Sequence, residues 1–390
     1  MAYARRPGKL PLPARWIAGL LLIKLCWALG YSYYFFQLHP HSSDTWGYFA
    51  QSRQIVRETH SFRDFVWLAF PTVTRASELL HYAYWNNLKD TVYVLVLLVM
   101  NLFTFHNPYA DTVLFALLTF TGWLRFIRLL QALYPGLKPG WYCAPFLLPT
   151  FLFCFSGLHA DGLIFALLGW IAWDAYQVFV LDPPSPRRVW TRLAVCCFLL
   201  ACMKAYLFVF LIVLLAPAWY GVYRRGLRPV YAWALMAGLG LTVLLLTIPE
   251  QSARQQAYLS LPYQHFLPEP PLASSLPDYL QRFPLAIWNG FFRPGLLASG
   301  PYILSAVETW SLLLLLLFSV ARRVRRSFYE NTWLYLTCIT WLLVGYTIPI
   351  LGAIIRYRSL FFPFLLGFCL LPLVRPRRPL QGKPLIQKAL

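Results

Sequence analysis

Charge is what this sequence has least of, and acid least of all. Its 390 residues include 14 Asp and Glu, and charged residues of both signs make up 12%. A water-soluble domain carries about 25%. With 59% hydrophobic residues, the chain holds more apolar side chains than one globular core can hide, so its main solvent is lipid. Motifs of several chemistries are also missing: there is no GxxxxGK[ST] loop, no HExxH and no GxSxG elbow. Nothing therefore points to ATP, to a zinc peptidase or to a serine hydrolase, and no flavin or haem signature is present. The eight cysteines (Cys26, Cys143, Cys154, Cys196, Cys197, Cys202, Cys338 and Cys369) lie in or beside apolar runs without zinc-ligand spacing to a His. They read as small core or lipid-facing residues.

What the chain does have is basic charge: 34 Lys and Arg, for a net charge of +20. Nucleic acid is excluded as the partner, because these residues sit in short clusters between apolar runs and not on one polar domain. The clusters are Arg5 to Arg15; Arg125, Arg128 and Lys138; Arg187, Arg188 and Arg192; Arg224, Arg225 and Arg228; Arg322 to Arg326; and Arg375 to Lys388. If each marks the cytoplasmic side, an even number of spans separates neighbours. The expected fold is an all-α polytopic membrane protein, one integral membrane domain over 1–390. About ten transmembrane helices fall near 16–36, 111–133, 141–157, 161–181, 189–203, 205–223, 230–249, 301–321, 331–352 and 359–374. Both termini are then cytoplasmic. The first run ends in bulky aromatics with no small-residue cleavage site, so it reads as a retained span and not a signal peptide.

Two external segments remain. The first, 37–110, contains the apolar stretch Thr91–Phe105. Fifteen residues make about 22 Å of helix, short of the 30 Å hydrocarbon core, so this stretch is expected to be interfacial. The second, 250–300, is rich in Pro and aromatics and reads as ordered loop. The 16 Trp and 24 Tyr suit interfacial belts and also surfaces on which sugars stack.

Few acidic residues means their positions carry information. Asp44 lies in HSSDTWGYF, just after the first span, beside Trp46 and Tyr48. A carboxylate there can take a proton from a hydroxyl or hold a metal; it can equally be the N-cap of the next helix. Asp161 lies in SGLHADGL, in a tight external turn, two residues after His159. It too can cap a helix, and one His with one Asp is a thin metal signal, so a divalent ion is left open and no other cofactor is expected. Lys204 interrupts a long apolar run, where an ammonium needs a helix break facing water or an anion. Arg356 and Arg358, in RYR beside Tyr357, and Arg293 have the chemistry for a phosphate headgroup. The two RYR arginines can instead snorkel to the interface.

In order, these features resemble the GT-C superfamily of membrane glycosyltransferases, which includes protein mannosyltransferases and the lipid A aminoarabinose transferase. The resemblance rests on SDTWGYF, TVYVLVLLVMNLFTFHNPYAD, TVLFALLTFTGWLRFIR, GLHADGLIFALLGW, LLACMKAYLFVF and RYRSLFFP. It departs from the family at the acidic pair of the first loop, where Asp44 is followed by Thr45. The turn LPTFLFCFSGLHADG is also similar to polysaccharide polymerase-like envelope proteins. The resemblance implies transfer of a sugar from a polyprenyl-phosphate donor to a glycan, lipid or protein acceptor on the external face of a membrane such as the bacterial inner membrane. In that picture Asp44 and Asp161 are catalytic. Lys204, Arg356, Arg358 and Arg293 hold the lipid phosphate, and Trp46, Tyr48, His159 and Tyr357 contact substrate. Tyr263 and Trp288 are further candidate contacts. Polymerisation or ligation of lipid-linked glycans is one alternative. Another is a transporter or flippase, for which Lys24, Asp174 and Glu308 would be the intramembrane polar residues.

Overall fold

The computed structural model describes residues 12–38, 44–61, 64, 82–181, 186–259, 275–295, 300 and 302–374. Among these the regular structure is helical, without a β-strand. In chain order the helices are α1 (Ala14–Tyr33), α2 (Asp44–Glu58), α3 (Tyr82–Thr104), α4 (Pro108–Leu133), α5 (Pro139–Cys143), α6 (Pro149–Ser156), α7 (Ala160–Ala175), α8 (Arg187–Met203), α9 (Ala205–Val209), α10 (Ala216–Arg224), α11 (Pro229–Leu259), α12 (Leu276–Ile287), α13 (Tyr302–Ala321), α14 (Phe328–Thr347), α15 (Leu351–Ser359) and α16 (Phe362–Val374). π-helical turns prolong α1, α7 and α12 and join α9 to α10.

The centre of the fold is the α4–α7 pair, with α1 and α6 against it and α8 on the far side of α7. Helices attract weakly in lipid unless small residues let their backbones approach. Here Gly122 of α4 faces Ala166 and Gly169 of α7, and a Cβ on either glycine would overlap the opposite backbone. Aromatic rings fill the space around this contact. Trp123 stacks on Phe146 at 4.9 Å, Phe126 meets Phe364 at 4.5 Å, and Phe364 stacks on Trp333 at 4.8 Å. These rings tie α4 to α14 and α16.

Among the described residues, five helical stretches are long and apolar enough to cross a membrane: Ala14–Leu38, Pro108–Leu133, Ala160–Val180, Ala205–Arg224 and Tyr302–Ala321. The bent pair Leu351–Ser359 and Phe362–Val374, at 48°, makes up to six. The chain is thus an integral membrane protein by its helices, and among the described residues the expected ten spans are not confirmed. Two of the expected spans are broken or short. The expected span 141–157 is the 5-residue α5, a 3-10 turn and the 8-residue α6. The 17 residues of α8 reach about 26 Å, again short of the core.

The apolar stretch at 91–105 lies in a 23-residue helix, α3, whose apolar part, Asp90–Thr104, is shorter than a span. The second external segment is not all loop, because α11 runs to Leu259 and α12 begins at Leu276. Proline does not prevent this: Pro277 stands in the first turn of α12, where no N–H is needed. Tyr263 and both chain ends lie outside the described residues.

Candidate functional site

The turn between α6 and α7 is held in place from both ends of α6. A helix that starts and stops inside a bilayer must satisfy its free backbone groups internally. Glu308 of α13 accepts the Thr150 N–H at 3.2 and 3.1 Å through its two carboxylate oxygens. Lys24 of α1 donates to the Phe155 carbonyl at 2.9 Å and lies 4.3 Å from the Trp123 ring centroid. Both side chains are buried. An anion thus sits at the N-terminus and a cation at the C-terminus, the arrangement a helix dipole favours. Lys24 and Glu308 therefore have structural work that needs no transport path.

The chain then passes through Gly157, where a Cβ would overlap the Tyr31 ring. It reaches His159, the N-cap of α7, and Asp161 in that helix's first turn. Both side chains are buried. Asp161 Oδ2 lies 3.1 Å from Arg356 Nε and 3.2 Å from His159 Nδ1. No aligned hydrogen bond reaches this oxygen, so these contacts are chiefly Coulombic. Arg356 completes a ring of contacts, with Nη1 at 3.0 Å from His159 Nε2 and Nη2 donating to Tyr357 Oη at 3.3 Å.

His159 is over-subscribed. Arg356 can only donate, so His159 Nε2 must accept and the ring proton belongs on Nδ1. Yet Nδ1 also faces the Asp161 backbone N–H at 3.1 Å, which needs an acceptor. One neutral tautomer cannot serve both neighbours.

Lys204 sits between α8 and α9 with φ −150° and ψ 75°, a break in an apolar run. Its carbonyl accepts from Leu207 N–H at 3.0 Å and Phe208 N–H at 3.2 Å, which starts the new helix. The ammonium lies 3.8 Å from the Tyr357 ring centroid and 5.6 Å from that of Tyr206, a cation–π contact. Its charge also acts on Asp161. His159, Asp161, Lys204, Arg356 and Tyr357, from four separate helices and breaks, therefore form one cluster. Arg356 and Lys204 are only partly buried and form its accessible side.

Not every expected residue joins it. Arg358 faces elsewhere: it is fully buried and donates to Gly290 O at 3.2 Å and Thr309 Oγ1 at 2.8 Å. Two residues from Arg356 on a helix, it is carried to a different side by the 3.6-residue period. Tyr48 is taken up by Asp90, to which its hydroxyl donates at 2.6 Å, and Trp46 packs on Phe36 at 5.4 Å; both serve the α2 contacts. Arg293 ends the π turn Trp288–Phe292, its N–H on Trp288 O at 3.1 Å. Trp288 stacks on Phe292 at 5.6 Å.

Asp44 opens α2, but its side chain lies outside the described residues. Its neighbour Thr45 is placed. The Thr45 hydroxyl lies 3.2 Å from Tyr31 Oη, and the Tyr31 ring covers Gly157. The start of α2 is thus one tyrosine away from the His159–Asp161 turn. Among the described residues no group of three His, Cys, Asp or Glu comes together that could hold a metal ion.

The opposite end of α7 is basic. Asp174, thirteen residues or about 20 Å of helix from Asp161, is bidentate with Arg192, with Nε to Oδ2 at 2.6 Å. Arg125 lies 3.8 Å over Trp170, and Arg326 donates to Phe368 O at 2.8 Å. The arginine clusters therefore gather away from the cluster around Asp161, and Asp174 is one arm of an ion pair there. Comparison of the chain with protein-family models, with curated proteins and with solved structures finds no match.

Proposed function

We propose that this protein is a membrane glycosyltransferase that takes a sugar from a polyprenyl-phosphate carrier. The observation that carries the reading is the meeting of three sequence-distant motifs, HAD, MKA and RYR, in one partly open cluster. Two cations on its accessible side match the charge of a lipid phosphate, which Arg can bind through two parallel N–H groups. Separation of this cluster from the arginine-rich end supports an external site under the positive-inside rule.

In the reaction, an acceptor hydroxyl oxygen bonds to the anomeric carbon while the bond from that carbon to the phosphate oxygen breaks. The electron pair leaves on the polyprenyl phosphate. Lys204 and Arg356 neutralise that growing charge, the step from which such a site gains most. The hydroxyl proton goes to a carboxylate, for which Asp44 is the candidate. Asp161 is ill-suited to that task, since its charge is compensated by Arg356. Its role is to aim Arg356. A phosphate drawing Arg356 away would also free His159 to adopt the other tautomer.

The test is titration of the purified protein with a polyprenyl phosphate, read by native mass spectrometry. Removing one charge-assisted contact should weaken binding by about 10–100-fold, so Lys204→Gln and Arg356→Gln should each do so. In membranes supplied with polyprenyl-phosphate sugars, Asp44→Asn should retain binding and lose turnover. Binding by Lys204→Gln within twofold of the parent would remove the phosphate assignment.

A further inference from the structure

At the far end of the molecule, α13 and α16 finish side by side and border an open cleft of about 500 Å³. Its wall is Arg322, Arg323 and Arg325, with Phe318, Pro372 and Leu373 as the apolar part. The three arginines are exposed. Among the described residues none is in an ion pair with a carboxylate; Arg322 merely lies 5.2 Å over the Phe318 ring. Their neighbour Arg326 is different, since it turns inward to Phe368 O and Ser319.

The backbone is bent to present them. Val324 N–H closes on Ser319 O at 3.1 Å, and Arg323 between them takes φ 49°. That left-handed position ordinarily goes to Gly, yet an arginine occupies it. The helix dipole does not account for the cluster, because the C-terminus of α13 carries about half a negative charge against three guanidinium groups. The chain beyond Val374 does not supply a complement either. Residues 375–390 contain Arg375, Arg377, Arg378, Lys383 and Lys388 and no Asp or Glu.

We infer that this cleft binds the headgroup of an anionic phospholipid of the leaflet on the arginine-rich side. The combination of free guanidinium groups with an apolar wall fits a phosphodiester joined to an acyl chain, and basic pockets between membrane helices take such headgroups. The exposed Phe318 and the Pro372–Leu373 edge would carry the first part of the chain. This site is separate from the candidate catalytic cluster and does not depend on the sugar-transfer reading.

Native mass spectrometry of the detergent-purified protein with added phosphatidylglycerol or phosphatidylcholine tests it. One phosphatidylglycerol should be retained in preference to phosphatidylcholine. Each surface arginine adds about fivefold to such an affinity, so Arg322→Gln/Arg323→Gln/Arg325→Gln together should weaken it on the order of 100-fold. The corresponding triple Lys variant should stay near the parent, which also controls for folding. Arg187→Gln/Arg188→Gln, an exposed pair at the start of α8, should bind as the parent does. The inference is overturned if the triple Gln variant stays within threefold of the parent, or if the Arg187/Arg188 variant loses as much. Displacement of the lipid by millimolar inorganic phosphate would also overturn it, by showing a site for free phosphate.

Discussion

The Asp161–Arg356 contact can be measured as a coupling energy. Asp161 and Arg356 side chains are 5% and 26% exposed, and their charges approach to 3.1 Å. At an effective dielectric constant near 20, two unit charges at that distance attract by about 5 kcal/mol. Desolvating both groups offsets much of this, and the partial exposure of Arg356 lowers it further. A net coupling of roughly 1–3 kcal/mol is therefore expected, in the range seen for residues in one network. The perturbation is a double-mutant cycle: Asp161→Asn, Arg356→Gln and both together. The assay is reversible unfolding in mixed detergent micelles, with far-UV circular dichroism as the probe. Each single change should cost about 2–4 kcal/mol, because it strands the other charge in a poorly hydrated site. The double change should cost less than the sum by the coupling energy. Additivity within about 0.5 kcal/mol would refute the pair and, with it, the argument that Asp161 aims Arg356.

Two further substitutions separate scaffold from site. Glu308→Gln removes the charge that caps α6 and should cost about 1–2 kcal/mol in the same unfolding assay, while polyprenyl-phosphate binding per folded protein stays at the parent value; unchanged stability would show that α6 needs no such cap. Arg358→Met removes a fully buried guanidinium that has no carboxylate partner among the described residues, so stability should be kept or raised and phosphate binding unaffected. Loss of binding comparable to that of Arg356→Gln would return Arg358 to the site.

Residue types at special places were legible in the sequence; their directions were not. Lys204 could be read as a break, because an ammonium flanked by apolar residues has few other uses in lipid. Asp161 and His159 could be read as a turn, because the apolar run stops and restarts around them. The pairing of Asp161 with Arg356 could not, since 195 positions separate them and one sequence contains no contact information. Arg356 and Arg358 looked equivalent, and only the geometry of α15 shows that one faces the cluster and the other Gly290. Lys24 and Glu308 illustrate the same limit. As intramembrane charges they were the residues a transport path would need, but each answers the terminus of a short helix whose ends composition does not reveal. The expected span at 141–157 shows a related limit: hydropathy measures apolar length and is blind to breaks within it.

Those breaks explain where the site is. His159 and Asp161 follow the break between α6 and α7, and Lys204 is itself the break between α8 and α9. Arg356 and Tyr357 lie on α15, a 9-residue helix bounded by a break on each side. Within lipid a broken helix is costly, because its free N–H and C=O groups have no water to bond, so breaks persist only where protein or a polar cavity satisfies them. A break also does what an unbroken span cannot. It lets a short polar side chain leave the helix surface and lets a fresh N-terminus face inward. In this fold the breaks at 157–159, at Lys204 and at 348–350 meet at one end of the α4–α7 pair, away from the arginine-rich end. The positions at which the helices break are thus the positions that hold the charged groups. That coincidence is the physical reason to look for chemistry at Asp161, Lys204 and Arg356 before anywhere else in the chain.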